Sequence, residues 1–230
     1  MKKKLVVLTG AGISAESGIK TFRDAGGLWE GYDVMDVASP EGWHKNKELV
    51  LDFYNQRRKQ LQEVKPNLGH TILSELENDF EVHIITQNVD NLHEKAGSSQ
   101  VLHLHGELLK VRSTKNENYI LDWNNDLVLG DVDEDGNQLR PHIVWFGEMV
   151  PALDEAIQIT KQADYLVIIG TSMQVYPAAG LLHYANKNTP VFYIDPNPAT
   201  IYDLSNPLEV ISMNATDGVA ILREKLSKFI

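Results

Sequence analysis

The chain has 230 residues, of which 43% are hydrophobic and 23% are charged, enough for one large domain or a domain with a small insertion. Its 32 acidic and 21 basic residues give a formal net charge of −11, which disfavours binding to nucleic acid. The apolar run after the first lysines is too short for a signal peptide or a membrane span, so we expect a cytoplasmic protein that does not bind a membrane. Cysteine is absent, which excludes disulfides, thiol nucleophiles and thiolate metal ligands.

Short runs rich in β-branched residues and bounded by turn formers predict buried parallel strands at 4–10, 81–87, 141–147, 163–172 and 189–195. Amphipathic patterns between and after these runs predict helices at 47–64, 68–79, 153–163 and 217–229. This alternation predicts an α/β fold built on a doubly wound parallel sheet. One segment, residues 107–140, is polar and rich in turns, and we expect it to form a small insertion with hairpin-like strands.

The first predicted strand runs into a glycine-rich turn, Gly10-x-Gly12-x-x-Ala15, that enters a predicted helix. Without side chains, this turn would let backbone N–H groups approach a pyrophosphate, and its spacing matches the alanine variant of the dinucleotide fingerprint. Such turns also occur for close packing alone, so both interpretations remain open. A second strand ending in a ribose-binding acid does not follow, which disfavours a dehydrogenase. Residues 19–33 form instead an aromatic and charged stretch that we expect to act as a lid over a cofactor.

Polar segments at or near predicted strand ends add to this candidate site. They read TQNVDNLHEKAG at 86–97, HLHGEL at 103–108 and GTSMQVYP at 170–177. Open α/β sheets bind their ligands at the carboxyl ends of their strands. A lone histidine or asparagine at such a place is more often structural, but three such segments in one chain favour a binding site.

The motif series resembles the sirtuin family, in the order GAGISAESGIKTFR, TQNVDNLH, HLHGEL, RPHIVWFGE, GTSMQVYP and IDPN, from residue 5 to the C-terminal helix. The resemblance implies an NAD-dependent protein-lysine deacylase that yields nicotinamide and O-acyl-ADP-ribose. It also implies a Rossmann-like large domain at 4–106 and 141–230 around the small insertion at 107–140. The helical part of residues 30–65 is expected to join that small domain.

Carried onto this sequence, the resemblance assigns His105 as the general base and Asn88 as a second catalytic residue. A histidine near neutral pKa can take a proton from a ribose hydroxyl as it attacks the acyl carbon, a contribution of about 10²–10⁴-fold. Phe22 would shield the face that nicotinamide leaves. The expected NAD-binding residues are Gly10, Ala11, Gly12, Ala15, Glu16, Thr21, Phe22, Arg23, Trp29, Gln87, Asn88, Asp90, Gly170, Thr171, Ser172, Asp195, Asn197 and Ala215.

The acylated substrate is expected to lie between residues 146–148 and the loop 173–176, pairing through main-chain hydrogen bonds. Tyr54 and Arg57 are three residues apart on a predicted helix and share a face, which by composition alone would be a solvated surface. The resemblance indicates instead the Tyr-x-x-Arg pair of sirtuins that accept succinyl- and malonyl-lysine, because a guanidinium can bind a carboxylate through two hydrogen bonds. The expected substrate-binding residues are Tyr54, Arg57, Phe146, Gly147, Glu148 and Val175.

The insertion departs from the family pattern, because most sirtuins hold a structural zinc there with two pairs of cysteines. Ser113 and Asn116 stand at the first pair of positions, and serine and asparagine are poor zinc ligands, so no zinc is expected. The acidic run at 131–136 matches the start of an EF-hand loop. His142 occupies the place of its bidentate glutamate and no helix pair flanks it, so an acidic turn is favoured over a calcium site.

Other functions remain open at this stage. A protein ADP-ribosyltransferase would also break the nicotinamide bond, and a non-catalytic NAD-sensing module would bind the same cofactor. The retained Asn88, Asp90 and His105 favour the deacylase. Its expected partners are acyl-lysine proteins or peptides, and we expect a monomer.

Overall fold

The computed structural model describes residues 2–20, 28–29 and 31–229. The strands are β1 (Lys4–Thr9), β2 (Leu28–Trp29), β3 (Tyr32–Asp33), β4 (Glu81–Thr86), β5 (Val101–His103), β6 (Gly106–Ser113), β7 (Ile120–Asp122), β8 (Leu139–Ile143), β9 (Tyr165–Ile169), β10 (Val191–Ile194) and β11 (Leu208–Ile211). The α-helices are α1 (Gly12–Ala15), α2 (Val34–Val37), α3 (Pro40–Lys45), α4 (Lys47–Glu63), α5 (Leu68–Glu75), α6 (Leu92–Lys95), α7 (Leu153–Lys161) and α8 (Ala215–Leu226). Short 3₁₀ helices lie at Leu76–Asn78, Ala178–Tyr184 and Ser227–Phe229.

The main sheet has the strand order β11-β10-β9-β1-β4-β5, and its paired strands are parallel. This confirms the predicted α/β fold and its doubly wound parallel sheet. The chain leaves β1 for β4 on one side and later returns to β9 on the other, so the strand order reverses between β1 and β9. Ligands of open α/β sheets bind at such a switch point, outside the carboxyl ends of the strands.

Two apolar cores cover the two faces of this sheet. Alternate residues of β1 explain why, since Leu5 and Val7 pack with α5 and α8, while Val6 and Leu8 pack with α7 and the 3₁₀ helix Ala178–Tyr184. Burial on both faces gives the unbroken aliphatic runs from which the strands were predicted. Among the described residues, no helix is both long and apolar enough to cross a membrane.

A second, antiparallel sheet has the order β7-β6-β8 and contains the predicted insertion. The prediction that 141–147 forms a strand of the main parallel sheet is wrong, because β8 pairs with β6 instead. A short apolar run predicts burial but does not specify which sheet it joins. Strands β5 and β11 were missed, since β5 is only three residues long and β11 is exposed over its first three residues.

Helix α4 and the antiparallel sheet share a third apolar core, in which Phe53 and Leu61 belong to the same cluster as Val111 and Leu139. Asn55 ties the helix to the insertion, because its side chain donates to the carbonyl oxygen of Leu127 at 3.0 Å and accepts from the N–H of that residue at 2.9 Å. This packing supports the expected association of residues 30–65 with the insertion. The domain boundaries themselves stay a prediction.

Candidate active site

The glycine-rich turn lies at the switch point, pressed against the loop that follows β9. The N–H of Gly12 donates to the carbonyl oxygen of Gly170 at 2.8 Å, and the N–H of Gly10 donates to Ile169 at 3.0 Å. A Cβ built on Gly12 would lie 2.5 Å from the Cα of Gly170, which itself adopts a φ of 61°. Close packing therefore requires these glycines, and both amides are used within the protein. A pyrophosphate role for the neighbouring Ala11, which is half-buried, stays a prediction.

A buried hydrogen-bond network joins α1 to the loop after β4. The hydroxyl of Ser14 donates to the Asp90 carboxylate at 3.0 Å and accepts from the Asn88 side-chain amide at 3.1 Å. Burial raises the pKa of Asp90, while the N–H of Leu92 and the Ser14 hydroxyl oppose that shift by donating to the carboxylate. The network fixes two of the predicted site residues relative to each other. Ser14 is not among the site residues predicted from the sequence, although it lies inside the motif GAGISAESG.

His105 presents one ring nitrogen as a base. Its Nδ1 lies 3.0 Å from the carbonyl oxygen of Gln87. A carbonyl oxygen only accepts, so Nδ1 carries the proton and Nε2 holds a lone pair. Burial lowers the pKa of His105 below its usual value, opposed by this hydrogen bond. The ring is therefore neutral near pH 7, as a general base must be.

His103, two residues earlier, lies between two hydrogen-bond acceptors. Its Nδ1 lies 2.9 Å from the carbonyl oxygen of Asn88, and its Nε2 lies 2.8 Å from the Glu94 carboxylate. Burial lowers the pKa of His103, but the hydrogen bond and charge of Glu94 outweigh it, so the net shift is upward. The ring therefore ties the loop that carries Asn88 to the carboxylate of Glu94. His103 is not among the site residues predicted from the sequence, although the motif HLHGEL contains it.

Residues that follow β4, β9 and β10 supply polar groups that suit phosphate and ribose. Gln87 donates through Nε2 to the Thr171 hydroxyl at 3.2 Å, which brings two of the predicted segments together. Next to β10, the N–H of Asn197 donates to the buried carboxylate of Asp195 at 2.8 Å. Hydroxyl, amide and carboxylate groups around glycine-lined backbone fit the chemistry of NAD. Ser172 and Val175 lie half-buried in the same loop after β9.

The remaining predicted NAD residues differ in placement. Glu16 accepts from the N–H and hydroxyl of Thr216 at 2.9 and 2.7 Å, so its carboxylate caps the start of α8 beside the buried Ala215. Ala15 is exposed at the end of α1. Trp29 meets the ring of Phe53 edge-on, with centroids 4.9 Å apart. The predicted lid residues Thr21, Phe22 and Arg23 lie outside the described residues.

The predicted acyl-binding pair lies on α4. The guanidinium of the half-buried Arg57 stacks 4.1 Å from the centroid of the Phe53 ring, and its Nη1 donates to the Phe53 carbonyl oxygen at 2.9 Å. Arg57 also lines a small cavity of about 50 Å³ with Trp29 and Asp90. Tyr54 is fully buried, and burial raises the pKa of its phenol, so the hydroxyl stays protonated at neutral pH. The cavity brings Arg57 next to residues of the predicted NAD site.

The segment 146–148 carries both exposed and buried groups. Phe146 is exposed, and Gly147 adopts a φ of 90°. The Glu148 carboxylate accepts from Arg140 at 2.6 and 3.1 Å and from the Trp145 N–H at 2.8 Å. Burial opposes ionisation, but these donors hold the pKa of Glu148 below its usual value. Glu148 thus fixes the shape of this turn, and a direct contact with substrate stays a prediction.

The insertion does not have residues that fit zinc. Ser113 donates its hydroxyl to the Asp133 carboxylate and accepts from the N–H groups of Lys115 and Asn116, both at 3.1 Å. Asp133 in turn accepts from the N–H of Asn137 at 2.8 Å and forms an acidic turn. The described part of the chain holds no group of three His, Cys, Asp or Glu side chains arranged to hold a metal. Hydrogen bonds here join the turn at residues 113–116 to the acidic turn.

A Rossmann-like sheet with an anchored neutral histidine and a polar network at its switch point defines a nucleotide-dependent enzyme of the α/β class. Comparison with known sequences makes this specific. The sequence profile of the Sir2 family matches residues 10–177, and the chain belongs to this family. It is 61% identical to a Helicobacter pylori (strain J99) protein named NAD-dependent protein deacylase, over 97% of this chain and 95% of that protein. A Bacteroides thetaiotaomicron protein of the same name is 55% identical over 97% of this chain and 98% of its own length.

Solved structures give the same result. A Sir2 homologue crystallised as a complex with NAD superimposes with a TM-score of 0.86 at 36% identity, over 99% of this chain and 91% of that chain. A Sir2 protein bound to a deacetylated p53 peptide and 3′-O-acetyl ADP-ribose superimposes with a TM-score of 0.80 at 28% identity, over 97% and 94% of the two chains. The resemblance stated from the motifs is therefore confirmed at the level of the family and the fold.

Proposed function

We propose that this protein is an NAD-dependent protein-lysine deacylase that removes succinyl and malonyl groups as well as acetyl groups. Membership of the Sir2 family and the deacylase names of its relatives support the general activity. The single structural observation that carries the proposal is His105, whose Nδ1 is tied to the Gln87 carbonyl oxygen so that Nε2 is available as a base. NAD, when bound, supplies the ADP-ribose that accepts the acyl group as nicotinamide leaves.

The chain's own residues position the ligand and remove a proton from it. Ser14 holds the Asn88 amide and the Asp90 carboxylate together, so neither side chain has to reorganise when a ligand arrives. The His103 ring fixes the carbonyl oxygen of Asn88, and the His105 ring fixes the preceding carbonyl oxygen of Gln87. With the loop held at both places, Nε2 of His105 can take a proton from a ribose hydroxyl.

The acyl preference rests on Arg57. Arg57 lines the small cavity together with Asp90 and Trp29, so an acyl group that enters this cavity would approach a positively charged side chain. A succinyl or malonyl carboxylate would gain a charge-assisted hydrogen bond there, whereas an acetyl group has no charge to offer. We therefore expect activity on succinyl-lysine to equal or exceed that on acetyl-lysine.

The test uses three peptides of one sequence that carry acetyl-, malonyl- or succinyl-lysine, incubated with NAD and followed by mass spectrometry. Arg57→Met should lower kcat/KM for the succinyl peptide about 10- to 100-fold, because a hydrogen bond to a charged group is worth about 1.5–3 kcal/mol. Activity on the acetyl peptide should change less than about twofold, because an acetyl group forms no such bond.

Lys59→Met is the matched control. This substitution removes the same charge from the exposed side of the same helix, where Lys59 pairs with Asp126 at 2.8 Å. Both activities should survive in the control. An equal loss of acetyl and succinyl activity in Arg57→Met would contradict the pocket assignment. NAD consumption that attaches ADP-ribose to protein without acyl-lysine would favour the alternative, a protein ADP-ribosyltransferase.

The expected partners follow the same reasoning. We propose that acyl-lysine peptides or proteins bind between residues 146–148 and the loop 173–176, with the exposed Phe146 and Tyr176 at its borders. Main-chain hydrogen bonds between these two segments and a peptide would depend little on the side chains of the peptide, so substrate preference would be broad. The net charge of −11 supports the absence of nucleic-acid binding. A monomer in the cytoplasm remains our expectation.

A further inference from the structure

In the apolar core shared by α4 and the antiparallel sheet, a hydrogen bond links α4 to the loop that precedes residues 146–148. The indole Nε1–H of Trp145 donates to the hydroxyl oxygen of Tyr54 at 3.0 Å. Trp145 is 2% exposed and Tyr54 is 0% exposed, so no water competes strongly for either group. The two residues are 91 positions apart, and neither the helix pattern nor the motif predicts their contact.

This contact determines what the Tyr54 hydroxyl can do. A tryptophan indole can only donate, whereas a phenol has one donor hydrogen and lone pairs that accept. Trp145 therefore occupies the accepting side of Tyr54 and directs its O–H towards other acceptors. Burial raises the pKa of the phenol, which keeps that hydrogen in place throughout the neutral range.

Trp145 is itself held rigidly. The Arg140 guanidinium stacks over its ring at 3.3 Å from the centroid, and the Glu148 carboxylate accepts from its backbone N–H at 2.8 Å. Arg112 also donates to Glu148 at 3.2 Å, and both arginines are 8% exposed. Two arginines and one carboxylate thus clamp the tryptophan between the antiparallel sheet and the turn at residues 146–148. An indole fixed in this way can hold a phenol in one orientation.

We propose that Trp145 is a positioning residue for acyl specificity, which holds the Tyr54 hydroxyl as a donor so that the pocket favours acyl groups ending in a hydrogen-bond acceptor. The inference rests on the proposed use of Arg57 for succinyl- and malonyl-lysine and extends it to Tyr54, three residues earlier on the same helix. It adds that the choice of acyl group depends on a buried residue just before the segment 146–148. A carboxylate can accept from the phenol, whereas the methyl group of an acetyl cannot.

Trp145→Phe tests the inference, since phenylalanine keeps an aromatic ring beneath Arg140 and removes the indole N–H. The ratio of succinyl to acetyl kcat/KM should fall about 3- to 10-fold, as for one neutral hydrogen bond. The change should appear as a higher KM for the succinyl peptide, with kcat and the acetyl reaction nearly unchanged. Trp43→Phe is the matched control, because Trp43 packs in the same core with its ring centroid 5.8 Å from that of Trp145. That control should leave the ratio unaltered.

A double-mutant cycle with Tyr54→Phe separates positioning from packing. If Trp145 acts through the phenol, Trp145→Phe should not change the ratio further once the hydroxyl is gone. An unchanged ratio in Trp145→Phe alone, an equal loss for both peptides, or a full shift in the Tyr54→Phe background would each overturn the inference. A wild-type protein without succinyl activity would instead overturn the proposed acyl preference, so the two failures can be told apart.

Discussion

Replacement of Gly12 by alanine tests the close packing at the switch point. The added Cβ would lie 2.5 Å from the Cα of Gly170 and 2.8 Å from its carbonyl oxygen. Both neighbours are backbone atoms, and Gly170 is fixed at a φ of 61° and by hydrogen bonds to Ile194 and Gly12. No flexible side chain can move aside, so the two loops must separate.

The expected loss of stability follows from two destabilising contributions and one that partly offsets them. Overpacking of a tight site costs about 1–3 kcal/mol. Lengthening the hydrogen bond from the Gly12 N–H to Gly170 costs up to about 0.5–1.5 kcal/mol more. The lower entropy of the unfolded chain with alanine offsets about 0.4–1 kcal/mol. The net loss of unfolding free energy is about 2.5 kcal/mol, which for a chain of this size lowers Tm by about 5–10 °C.

Thermal and urea unfolding of the purified variant measure this change. Gly180→Ala is the matched control, since a Cβ there would have the Tyr176 ring as its nearest neighbour at 3.8 Å, an ordinary contact. The control should keep Tm within about 2 °C of the wild type, as for substitutions that leave packing intact. A Gly12→Ala protein as stable as this control would refute the reasoning, because the backbone contact would then carry no strain.

Further predictions concern the histidines. His105→Ala should lower the rate of acyl transfer about 10²–10⁴-fold with Tm nearly unchanged, and a folded variant with wild-type activity would refute the assignment of the base. Burial lowers the pKa of His70 from 6.5 to about 4, so the folded state keeps this ring neutral while the unfolded chain takes up a proton. Stability should therefore fall between pH 6.5 and 4, by up to about 3 kcal/mol from this residue. Urea unfolding at several pH values should show that the unfolding free energy of His70→Gln depends less steeply on pH than that of the wild type. An equal dependence on pH would assign the effect to His93 or His142, whose pKa values are also lowered.

Local patterns were sufficient for much of the fold. Alternating aliphatic and amphipathic runs predicted β1, β4, β9 and β10 and the long helices, because burial on both faces of a sheet or one face of a helix leaves a direct mark on the sequence. The strand at Leu139–Ile143 was assigned to the wrong sheet. Its apolar residues record that it is buried, and only pairing with β6, about 30 residues earlier, decides where.

For the candidate site too, local patterns predicted some features, whereas contacts between distant residues decided others. Polar segments at or near predicted strand ends, together with the resemblance to the sirtuin family, predicted that Asn88, Asp90 and His105 belong to one site. Ligand contacts of the Glu16 and Glu148 carboxylates stay predictions, and the structure adds that these groups accept hydrogen bonds from Thr216 and from Arg140. Such use of a side chain depends on a partner far along the chain, and a single sequence does not reveal it.

By itself, then, the sequence determined the parallel α/β fold, the glycine turn and the absence of zinc-binding cysteines, because each depends on residue type and local spacing. The tertiary structure alone decided which donors and acceptors are already occupied. The N–H of Gly12 serves Gly170, and the indole of Trp145 serves Tyr54 across 91 residues. Hydrogen-bonding capacity is a property of a residue, but its use is fixed only when packing brings a partner within about 3 Å.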